Sequence, residues 1–214
     1  MTLRRIYSPL VMECNMLKKD AIRVITTCAT SYRNNLANHN ILFIFGDPRN
    51  PELLETRFLS RNYLHLTGVR IKPPGIKSSV DFFNKCLSNQ VREEDVQFPD
   101  DGVVEMKLSV LPSLMKIHKT AKMIGDYDNN KSVLYTEKLS GTTTACMGFV
   151  LEGNYYVPNT ALKEDIRQVT IHPQKRILMI MRKPISAKQY EEICYTAKGI
   201  IKTDIRFHVE KRIW

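Results

Sequence analysis

The feature that most constrains the fold is a change of hydrophobic period along the chain. Residues 12–36 place apolar side chains three and four positions apart, which is the spacing of one face of an amphipathic helix. From residue 133 to residue 157, short apolar segments separated by Ser140-Gly141 and Gly153-Asn154 have the pattern of successive strands. A long N-terminal helix followed by an antiparallel meander predicts an α+β fold.

Local patterns predict four elements in the first half of the chain. The continuous apolar run Ile41–Phe45 indicates a central strand. Strand-like composition continues through Leu53–Leu59 and Tyr63–Thr67. Ser78 or Ser79 is the predicted N-cap of a short helix, because a serine oxygen there accepts a hydrogen bond from the free amides of the first turn.

The middle of the chain admits two interpretations, and proline decides between them. Residues Val104–Val110 alternate apolar and polar side chains, which predicts a strand. A single helix running on to Ile124 would carry Pro112 in its interior at a cost of about 3 kcal/mol, whereas a proline is well placed in the first turn of a new helix. We therefore predict a strand and then a helix, which Gly125 closes as a left-handed cap.

Two helices and a strand are predicted in the last third of the chain. Residues 161–169 are expected to be helical, and residues 176–181 form an apolar strand flanked by basic pairs. Ser186 is the expected cap of a final helix over residues 186–198, which Gly199 closes.

The chain is basic, with 32 Lys and Arg against 22 Asp and Glu and a formal net charge of +10. An excess of this size favours an anionic partner through long-range electrostatic steering, and the simplest such partner is nucleic acid. A solvated basic surface without a nucleic-acid role is the alternative explanation.

The cysteine pattern argues against a metal site and against a disulfide framework. The five cysteines are odd in number, widely spaced and never arranged as C-x-x-C, which indicates free thiols in a reducing compartment. No apolar run has the length of a signal peptide core or of a membrane span. We therefore expect a cytoplasmic protein with no metal and no cofactor.

Two of the five histidines are candidates for proton transfer. In a strand, the period of two places Tyr63, His65 and Thr67 on one face, which brings a titratable imidazole beside two hydroxyls. His118 lies four residues before Lys122 on the predicted helix, and an imidazole beside an ammonium suits a phosphate-binding surface. Each histidine also has a structural explanation, His65 as a partly buried residue satisfied by a backbone carbonyl and His118 as part of its helix's apolar stripe.

Further polar segments have two explanations each. Residues Tyr135–Thr144 gather hydroxyls around a glycine, which offers donors to a phosphate but is more typical of threonines in a hairpin. Arg182 and Lys183, at the end of a predicted strand, either contact phosphates or simply form a charged strand end.

Four ordered blocks of residues are distinctive. They are Phe58-Leu59-Ser60-Arg61-Asn62-Tyr63-Leu64-His65-Leu66-Thr67-Gly68, Lys107-Leu108-Ser109-Val110-Leu111-Pro112, His118-Lys119-Thr120-Ala121-Lys122-Met123-Ile124-Gly125-Asp126-Tyr127 and Pro158-Asn159-Thr160-Ala161-Leu162. Together, within a similarity from about Cys28 to Gly199, they resemble a phage-encoded family of the barnase/EndoU/colicin E5-D/RelE-like nuclease group. The resemblance implies N-terminal helices packed on a twisted antiparallel β-sheet, with RNA lying across that sheet and no metal required.

The resemblance also implies a reaction, in which a ribose 2′-hydroxyl attacks its own 3′-phosphate and leaves a 2′,3′-cyclic phosphate. Relatives in the group use varied side chains, so we assign roles by residue type: histidines for proton transfer, lysines for charge stabilisation, and a tyrosine and a threonine for orienting the phosphate. The candidate catalytic residues are His65, Thr67, His118, Lys119, Tyr135 and Lys138. The candidate nucleic-acid-binding residues are Arg61, Lys116, Lys122, Arg176, Arg182 and Lys183.

A second hypothesis is a binding protein that cleaves nothing. On a nuclease-derived scaffold it would bind nucleic acid or a host protein in an anti-defence or inhibitor role. An ADP-ribosylating or nucleotide-modifying enzyme would need a sharper cofactor loop than Ser140-Gly141-Thr142. For domain organisation we expect an N-terminal helical extension at 1–27, a nuclease-like domain at 28–200 and a basic C-terminal tail at 201–214, acting in a bacterial host cell.

Overall fold

The computed structural model describes residues 16–99, 102–130 and 134–201. Its α-helices are α1 (Lys18–Asn35), α2 (Tyr63–Thr67), α3 (Ser79–Leu87), α4 (Val103–Leu114), α5 (Ile117–Thr120) and α6 (Ile166–Val169). Its strands are β1 (His39–Asp47), β2 (Asn50–Phe58), β3 (Arg70–Ile71), β4 (Val96–Gln97), β5 (Met123–Asp126), β6 (Lys138–Gly141), β7 (Cys146–Glu152), β8 (Tyr155–Leu162), β9 (Lys175–Pro184) and β10 (Glu192–Thr196).

The main sheet closes on itself. Its strand order is β1-β2-β8-β7-β6-β5-β9-β10, and β1 also pairs with β9, so that seven of these strands complete a ring and β10 extends the edge of β9. The described pairings in this sheet are antiparallel except for the parallel contact of β2 with β8, at Thr56 and Tyr156. The predicted α+β class is therefore confirmed, and the closed ring with its parallel contact goes beyond the predicted meander.

One aromatic cluster joins the helices to the sheet. The Tyr32 ring on α1 lies 6.2 Å from the Phe58 ring on β2 and 5.1 Å from the Tyr63 ring on α2. Phe58 in turn lies 6.1 Å from Phe149 on β7. All four side chains are fully buried, and aromatic rings in such tilted contacts add about 0.5–1.5 kcal/mol per pair to the burial of apolar area.

Several predicted elements are confirmed. β1 contains the apolar run Ile41–Phe45, and β9 contains residues 176–181. Ser78 is the N-cap of α3, where its hydroxyl oxygen accepts a hydrogen bond from the Asp81 amide at 3.1 Å.

The prediction of a strand at Tyr63–Thr67 is wrong, because these residues form helix α2. The helix buries Tyr63, Leu66 and Thr67, which are spaced three and four apart. The Tyr63 hydroxyl donates a hydrogen bond to the Ile25 carbonyl at 2.6 Å and so fixes α2 against α1. Gly68 ends the helix with a left-handed φ of +79°.

The strand predicted at Val104–Val110 is also wrong, since α4 runs through it and carries Pro112 near its C-terminal end. Val104, Leu108 and Leu111 share the helical core face and are buried, and this burial outweighs the cost of the proline. The predicted following helix is reduced to α5, and Gly125 lies in β5 instead of capping a helix. Gly125 is needed for close packing, because a Cβ there would lie 2.9 Å from the Thr170 Cβ.

Two C-terminal helices are also corrected. Residues 161–162 complete β8, and α6 begins only at Ile166. Residues 192–196 form β10, because the part of β9 beyond β5 offers a free edge that a strand can pair with. Likewise, Ser140-Gly141 lies within β6 instead of forming a turn.

Some predictions about organisation are not decided by the fold. Helix α1 runs without interruption across the predicted boundary between residues 27 and 28. Residues 1–15, 100–101, 131–133 and 202–214, which include all but the first residue of the predicted basic tail, lie outside the described residues. Among the described helices, none is long and apolar enough to cross a membrane.

His118 belongs to the buried interior of this fold. It lies on α5, is 1% exposed, and neither ring nitrogen has a hydrogen-bond partner among the described residues. Burial lowers the pKa of His118 to about 4, with further lowering by Arg182, Lys119 and His39 and an opposing effect of Glu192. The imidazole is therefore neutral in the folded protein at pH 7.

We expect the substitution Gly141→Ala to lower the free energy of unfolding by about 2–3 kcal/mol. A Cβ at this position would lie 2.3 Å from the Ala145 carbonyl oxygen and 2.6 Å from the Cys146 Cα, so the backbone would have to move. Gly102→Asn is the matched control, because its site is open and asparagine tolerates its φ of +71°. Urea unfolding of both variants checks this, and equal effects of the two substitutions would contradict it.

We expect the stability of the protein to fall as the pH decreases from about 6.5 to 4. Between the pKa of an unfolded histidine and the lowered pKa of His118, the unfolded state binds the extra proton, so protonation favours unfolding by up to about 2–3 kcal/mol. His118→Leu removes this proton, and the difference between the two stability curves isolates the histidine. Parallel curves for the wild type and His118→Leu through this window would contradict the expectation.

Candidate active site

At one end of the closed sheet, charged side chains follow the core residues on the inner face of three strands. Leu54, Ile124 and Ile177 belong to the main core cluster. Side chains two residues apart share a face of a strand, so this inner face continues into the charged residues Glu52, Asp126 and Lys175. The strands thus change from core to charge where the packed interior ends.

These charges line a cavity of about 210 Å³, which we call the mouth. Its lining residues are Phe45, Glu52, Ile124, Gly125, Asp126, Lys138, Ile171, His172, Pro173 and Lys175. Lys138 enters the mouth from β6 because it is the direct cross-strand partner of Asp126. Five strands, namely β1, β2, β5, β6 and β9, and the segment before β9 therefore contribute to one pocket.

Two ion pairs organise the mouth. The Lys175 ammonium lies 2.8 and 2.7 Å from the two carboxylate oxygens of Glu52, and Lys138 is paired with Asp126. The four side chains are between 33% and 59% exposed. Pairs this exposed contribute at most about 1 kcal/mol each, so an incoming anion can compete for the ammonium groups at little cost.

His172 stands at the rim of the mouth on an anchored segment. The Ile171 amide donates to the Asp126 carbonyl at 2.9 Å, and the adjacent Thr170 is buried against Gly125. His172 itself is exposed, and its Nδ1 lies within 3.1 Å of the Gln174 side-chain amide. Gln174 in turn donates to the Thr170 hydroxyl at 2.8 Å, so the imidazole is oriented through one hydroxyl and one amide.

The mouth brings together the groups that phosphoryl transfer needs. An imidazole can accept or donate a proton, two carboxylates can accept one, and two ammonium groups can stabilise negative charge on a phosphate. Within the described residues, no group of three or more His, Cys, Asp or Glu side chains is arranged to hold a metal ion.

Helix α2 separates two of the predicted catalytic residues. His65 is exposed, and its carbonyl accepts a hydrogen bond from Lys107 at 3.0 Å. Thr67 is fully buried and donates to the Leu64 carbonyl at 2.7 Å. The predicted common face of Tyr63, His65 and Thr67 is wrong, because a helix turns neighbouring side chains by about 100° each instead of alternating them.

Only one of the other four predicted catalytic residues lines the mouth, namely Lys138. His118 lies on the buried side of α5, and Lys119 is exposed on the same short helix. Tyr135 is 83% exposed, and its carbonyl accepts a hydrogen bond from the Asn159 side chain.

The predicted nucleic-acid-binding residues divide into paired and accessible cations. Arg61 is paired with Glu152. Arg182 donates two 2.8 Å hydrogen bonds to Glu192 and one to the Asn35 carbonyl, so it holds β10 and α1 in place.

The other four predicted cations are exposed or half-buried. Lys183 donates to the Lys188 carbonyl and lies 4.6 Å from the centre of the Tyr190 ring. The exposed cations are Lys116, Lys122 and Arg176.

Four charged or titratable residues of the mouth were not predicted from sequence, namely Glu52, Asp126, His172 and Lys175. Glu52, Asp126 and Lys175 each stand two residues from a core residue of a strand, and this spacing could have identified them. His172 carried no such signal, since its position depends on the contact of its segment with β5.

The described cysteines are free thiols, and the surroundings of each one disfavour the thiolate. Burial raises the pKa of Cys28 to about 11 and of Cys86 and Cys146 to about 12, so the reactive thiolate is scarce at neutral pH. Cys194 is half-buried, and its pKa is likewise raised to about 12 by burial and by Glu192.

Comparison with known proteins gives one family. No curated protein and no solved structure matches the chain significantly. The family model described as phage-Barnase-EndoU-ColicinE5/D-RelE like nuclease4 matches residues 24–199, which is most of the chain. The chain therefore belongs to this phage nuclease family, in agreement with the resemblance of its sequence blocks.

Proposed function

We propose that this protein is a metal-independent ribonuclease that cleaves RNA at the mouth. The observation that carries the proposal is the convergence of His172, two lysines and two carboxylates on one cavity of about 210 Å³ in a member of a nuclease family. Nuclease relatedness supplies the class of reaction, and the mouth supplies groups suited to it.

The proposed reaction is an internal transesterification. The ribose 2′-oxygen forms a bond to the adjacent phosphorus, the bond from phosphorus to the 5′-oxygen breaks, and the products are a 2′,3′-cyclic phosphate and a 5′-hydroxyl. One group takes the 2′-hydroxyl proton and another gives a proton to the departing 5′-oxygen. His172 is one of these groups, and Glu52 or Asp126 is the other.

The lysines of the mouth stabilise the charge that develops. Lys138 and Lys175 come from strands on either side of β5, and each is already held by a carboxylate. When a phosphate enters, the ammonium groups shift part of their interaction to its oxygens, whose charge grows in the transition state.

The proposed substrate is RNA that is single-stranded where it is cut. Pockets that enclose a drug-sized ligand measure about 300–1,000 Å³, so the smaller mouth suits one segment of a polymer that continues outside it. DNA lacks the 2′-hydroxyl that attacks and is not a substrate by this route.

Binding without cleavage is the second candidate function. Both lysines of the mouth are neutralised by carboxylates, and the predicted catalytic residues Thr67 and His118 are buried. On this hypothesis the nuclease-derived scaffold holds nucleic acid or a host protein in an anti-defence or inhibitor role.

We expect the purified protein to cut labelled RNA in the presence of excess EDTA and to leave 2′,3′-cyclic phosphate ends. Side chains of the mouth supply proton transfer and charge stabilisation, so chelation removes nothing that the reaction uses. A DNA of matched sequence should remain intact. If EDTA abolishes cleavage, metal independence is wrong, and if no RNA is cut, the binding hypothesis replaces the enzyme.

We expect His172→Ala to slow RNA cleavage by about 100-fold or more while RNA binding changes little, because a proton-transfer group acts mainly in the transition state. Lys138→Ala should slow it by a similar factor through lost charge stabilisation. Melting curves verify that both variants fold. We expect them to fold normally, because the two side chains are at least partly exposed. His65→Ala discriminates between the two locations: slow cleavage by this variant together with normal cleavage by His172→Ala would place the active site at α2.

A further inference from the structure

A second cavity lies at the end of the β5–β6 pair opposite to the mouth. It measures about 440 Å³ and lies between the turn from α4 to α5 and the turn from β6 to β7. Asp126 and Lys138 of the mouth form one end of the paired strands, and Met123 and Gly141 form the other end, roughly 10 Å away. The two cavities are therefore separate sites.

Five polar side chains line this second cavity, which we call the hydroxyl pocket. They are Ser113 on α4, Lys116 between α4 and α5, Thr120 on α5, and Thr142 and Thr144 after β6. Lys116 was predicted to bind nucleic acid, and the hydroxyls around Gly141 were considered as donors to a phosphate. The fold brings these two sets of residues together in one cavity.

The charge of the hydroxyl pocket differs from that of the mouth. Among the described residues that line the pocket, none is acidic and Lys116 supplies the positive charge. The Lys116 side chain is exposed and forms no ion pair within the described part of the chain. Its ammonium group can therefore bind an anion without first separating from a carboxylate.

A threonine provides a second donor on the opposite wall of the pocket. The Thr142 hydroxyl oxygen accepts hydrogen bonds from the amides of Thr144 at 3.2 Å and Ala145 at 3.4 Å. A hydroxyl oxygen has two acceptor positions, so in its 3.1 Å contact with the Thr144 hydroxyl Thr142 must be the donor. The proton of the exposed Thr144 hydroxyl is thus left to donate to a ligand.

The hydroxyls of Ser113 and Thr120 present acceptors instead. The Ser113 hydroxyl donates to the Val110 carbonyl at 2.7 Å, and the Thr120 hydroxyl donates to the Lys116 carbonyl at 3.1 Å. Each hydroxyl has one proton, so these two oxygens can only accept from a ligand. Phosphate oxygens mainly accept, so a ligand that uses every group of the pocket also carries hydroxyl or N–H donors.

The end of α4 does little to repel an anion from the pocket. Carbonyl oxygens at the C-terminal end of a helix carry partial negative charge. Those of Leu111 and Ser113 accept hydrogen bonds from the amides of Met115 and Lys116, both at 3.1 Å. The Met115 carbonyl accepts one from the Asn35 side chain, also at 3.1 Å. These bonds offset the partial charges nearest to the Lys116 ammonium.

We propose that the hydroxyl pocket binds a nucleoside phosphate, with the phosphate on Lys116 and Thr144. The ribose hydroxyls donate to Ser113 and Thr120, and the exposed Pro112 offers an apolar surface to the base. A cavity of about 440 Å³ falls within the range of about 300–1,000 Å³ that holds a whole small ligand, unlike the mouth. The nucleoside phosphate is a free nucleotide or the phosphorylated end of an RNA, because both carry the same groups. No residue of the mouth takes part.

Equilibrium binding of adenosine 5′-monophosphate tests the pocket. Lys116→Gln removes its cation, and Thr144→Val removes the donor hydroxyl while keeping the shape of the side chain. The matched controls are Lys119→Gln and Thr143→Val, which change exposed residues nearby that do not line the pocket. Isothermal titration calorimetry measures the affinity, and melting curves verify that each variant folds.

We expect Lys116→Gln to weaken binding of the nucleotide by about 10-fold or more and Thr144→Val to weaken it by about 5-fold, because both groups donate to a charged phosphate. The two controls should bind as the wild type does. Adenosine should bind at least about 10-fold more weakly than its monophosphate, since it lacks the charged group. Inorganic phosphate should also bind more weakly, because it leaves Ser113 and Thr120 without donors.

The variant Lys138→Gln separates the hydroxyl pocket from the mouth. Unchanged affinity in this variant supports the pocket, whereas loss of binding in Lys138→Gln but not in Lys116→Gln would overturn it. Equal effects of the pocket variants and their controls would overturn it as well. So would a wild type without measurable affinity, or one that binds inorganic phosphate as tightly as the nucleotide. None of these measurements requires cleavage at the mouth.

Competition identifies the source of the nucleoside phosphate. The competitor is a 5′-phosphorylated 2′-O-methyl RNA of about 12 nucleotides, which has no 2′-hydroxyl to attack. If it displaces the nucleotide at least about 10-fold better than the same RNA with a 5′-hydroxyl, the pocket holds the phosphorylated end of an RNA. If neither RNA displaces the nucleotide, the pocket holds the free nucleotide. Equal displacement by both RNAs would overturn the role of the terminal phosphate.

Discussion

The pairing of both edges of β9 is the constraint on which the rest of the structure depends. One edge joins β1 over most of its length, and the other is shared by β5 and β10. The first pairing closes the ring and forces the inner face of every strand into a common core. Charged residues on that face must then lie where the packing ends, because an unpaired charge in the core would be far too costly. The mouth is thus a consequence of closure.

The packing of the helices also depends on the closure of the sheet. Tyr32, Tyr63 and Phe58 form a buried aromatic cluster only because β2 presents Phe58 toward the helices. The hydroxyls of the two tyrosines are satisfied by carbonyls of Leu59 and Ile25, so the cluster gains apolar burial without leaving a polar group unpaired. This cluster fixes α2 and thereby determines that His65 faces solvent while Thr67 is buried.

The sequence predicted elements whose pattern is local and failed where pairing partners decide. Ser78 caps α3 through its own side chain, and the run at Ile41–Phe45 is apolar on both faces, so neither needs distant information. Val104–Val110 fits an alternating and a helical pattern equally well, and contacts with α1 and β8 select the helix. Residues 192–196 became a strand because the edge of β9 was open, which no local pattern could show. Lys138 was identified as a candidate from its residue type. His172 was missed, because its place at the mouth depends on the contact of its segment with β5.

The ion pairs of the mouth suit the charge changes of the proposed reaction. Catalysis favours groups whose charges are balanced in the free enzyme and are redistributed when the phosphate becomes more negative, and the two ion pairs of the mouth meet that condition. Unpaired cations in the same place would bind any phosphate tightly in the ground state and gain little in the transition state. Pairing each lysine with a carboxylate therefore keeps the reacting phosphate weakly bound until its charge grows.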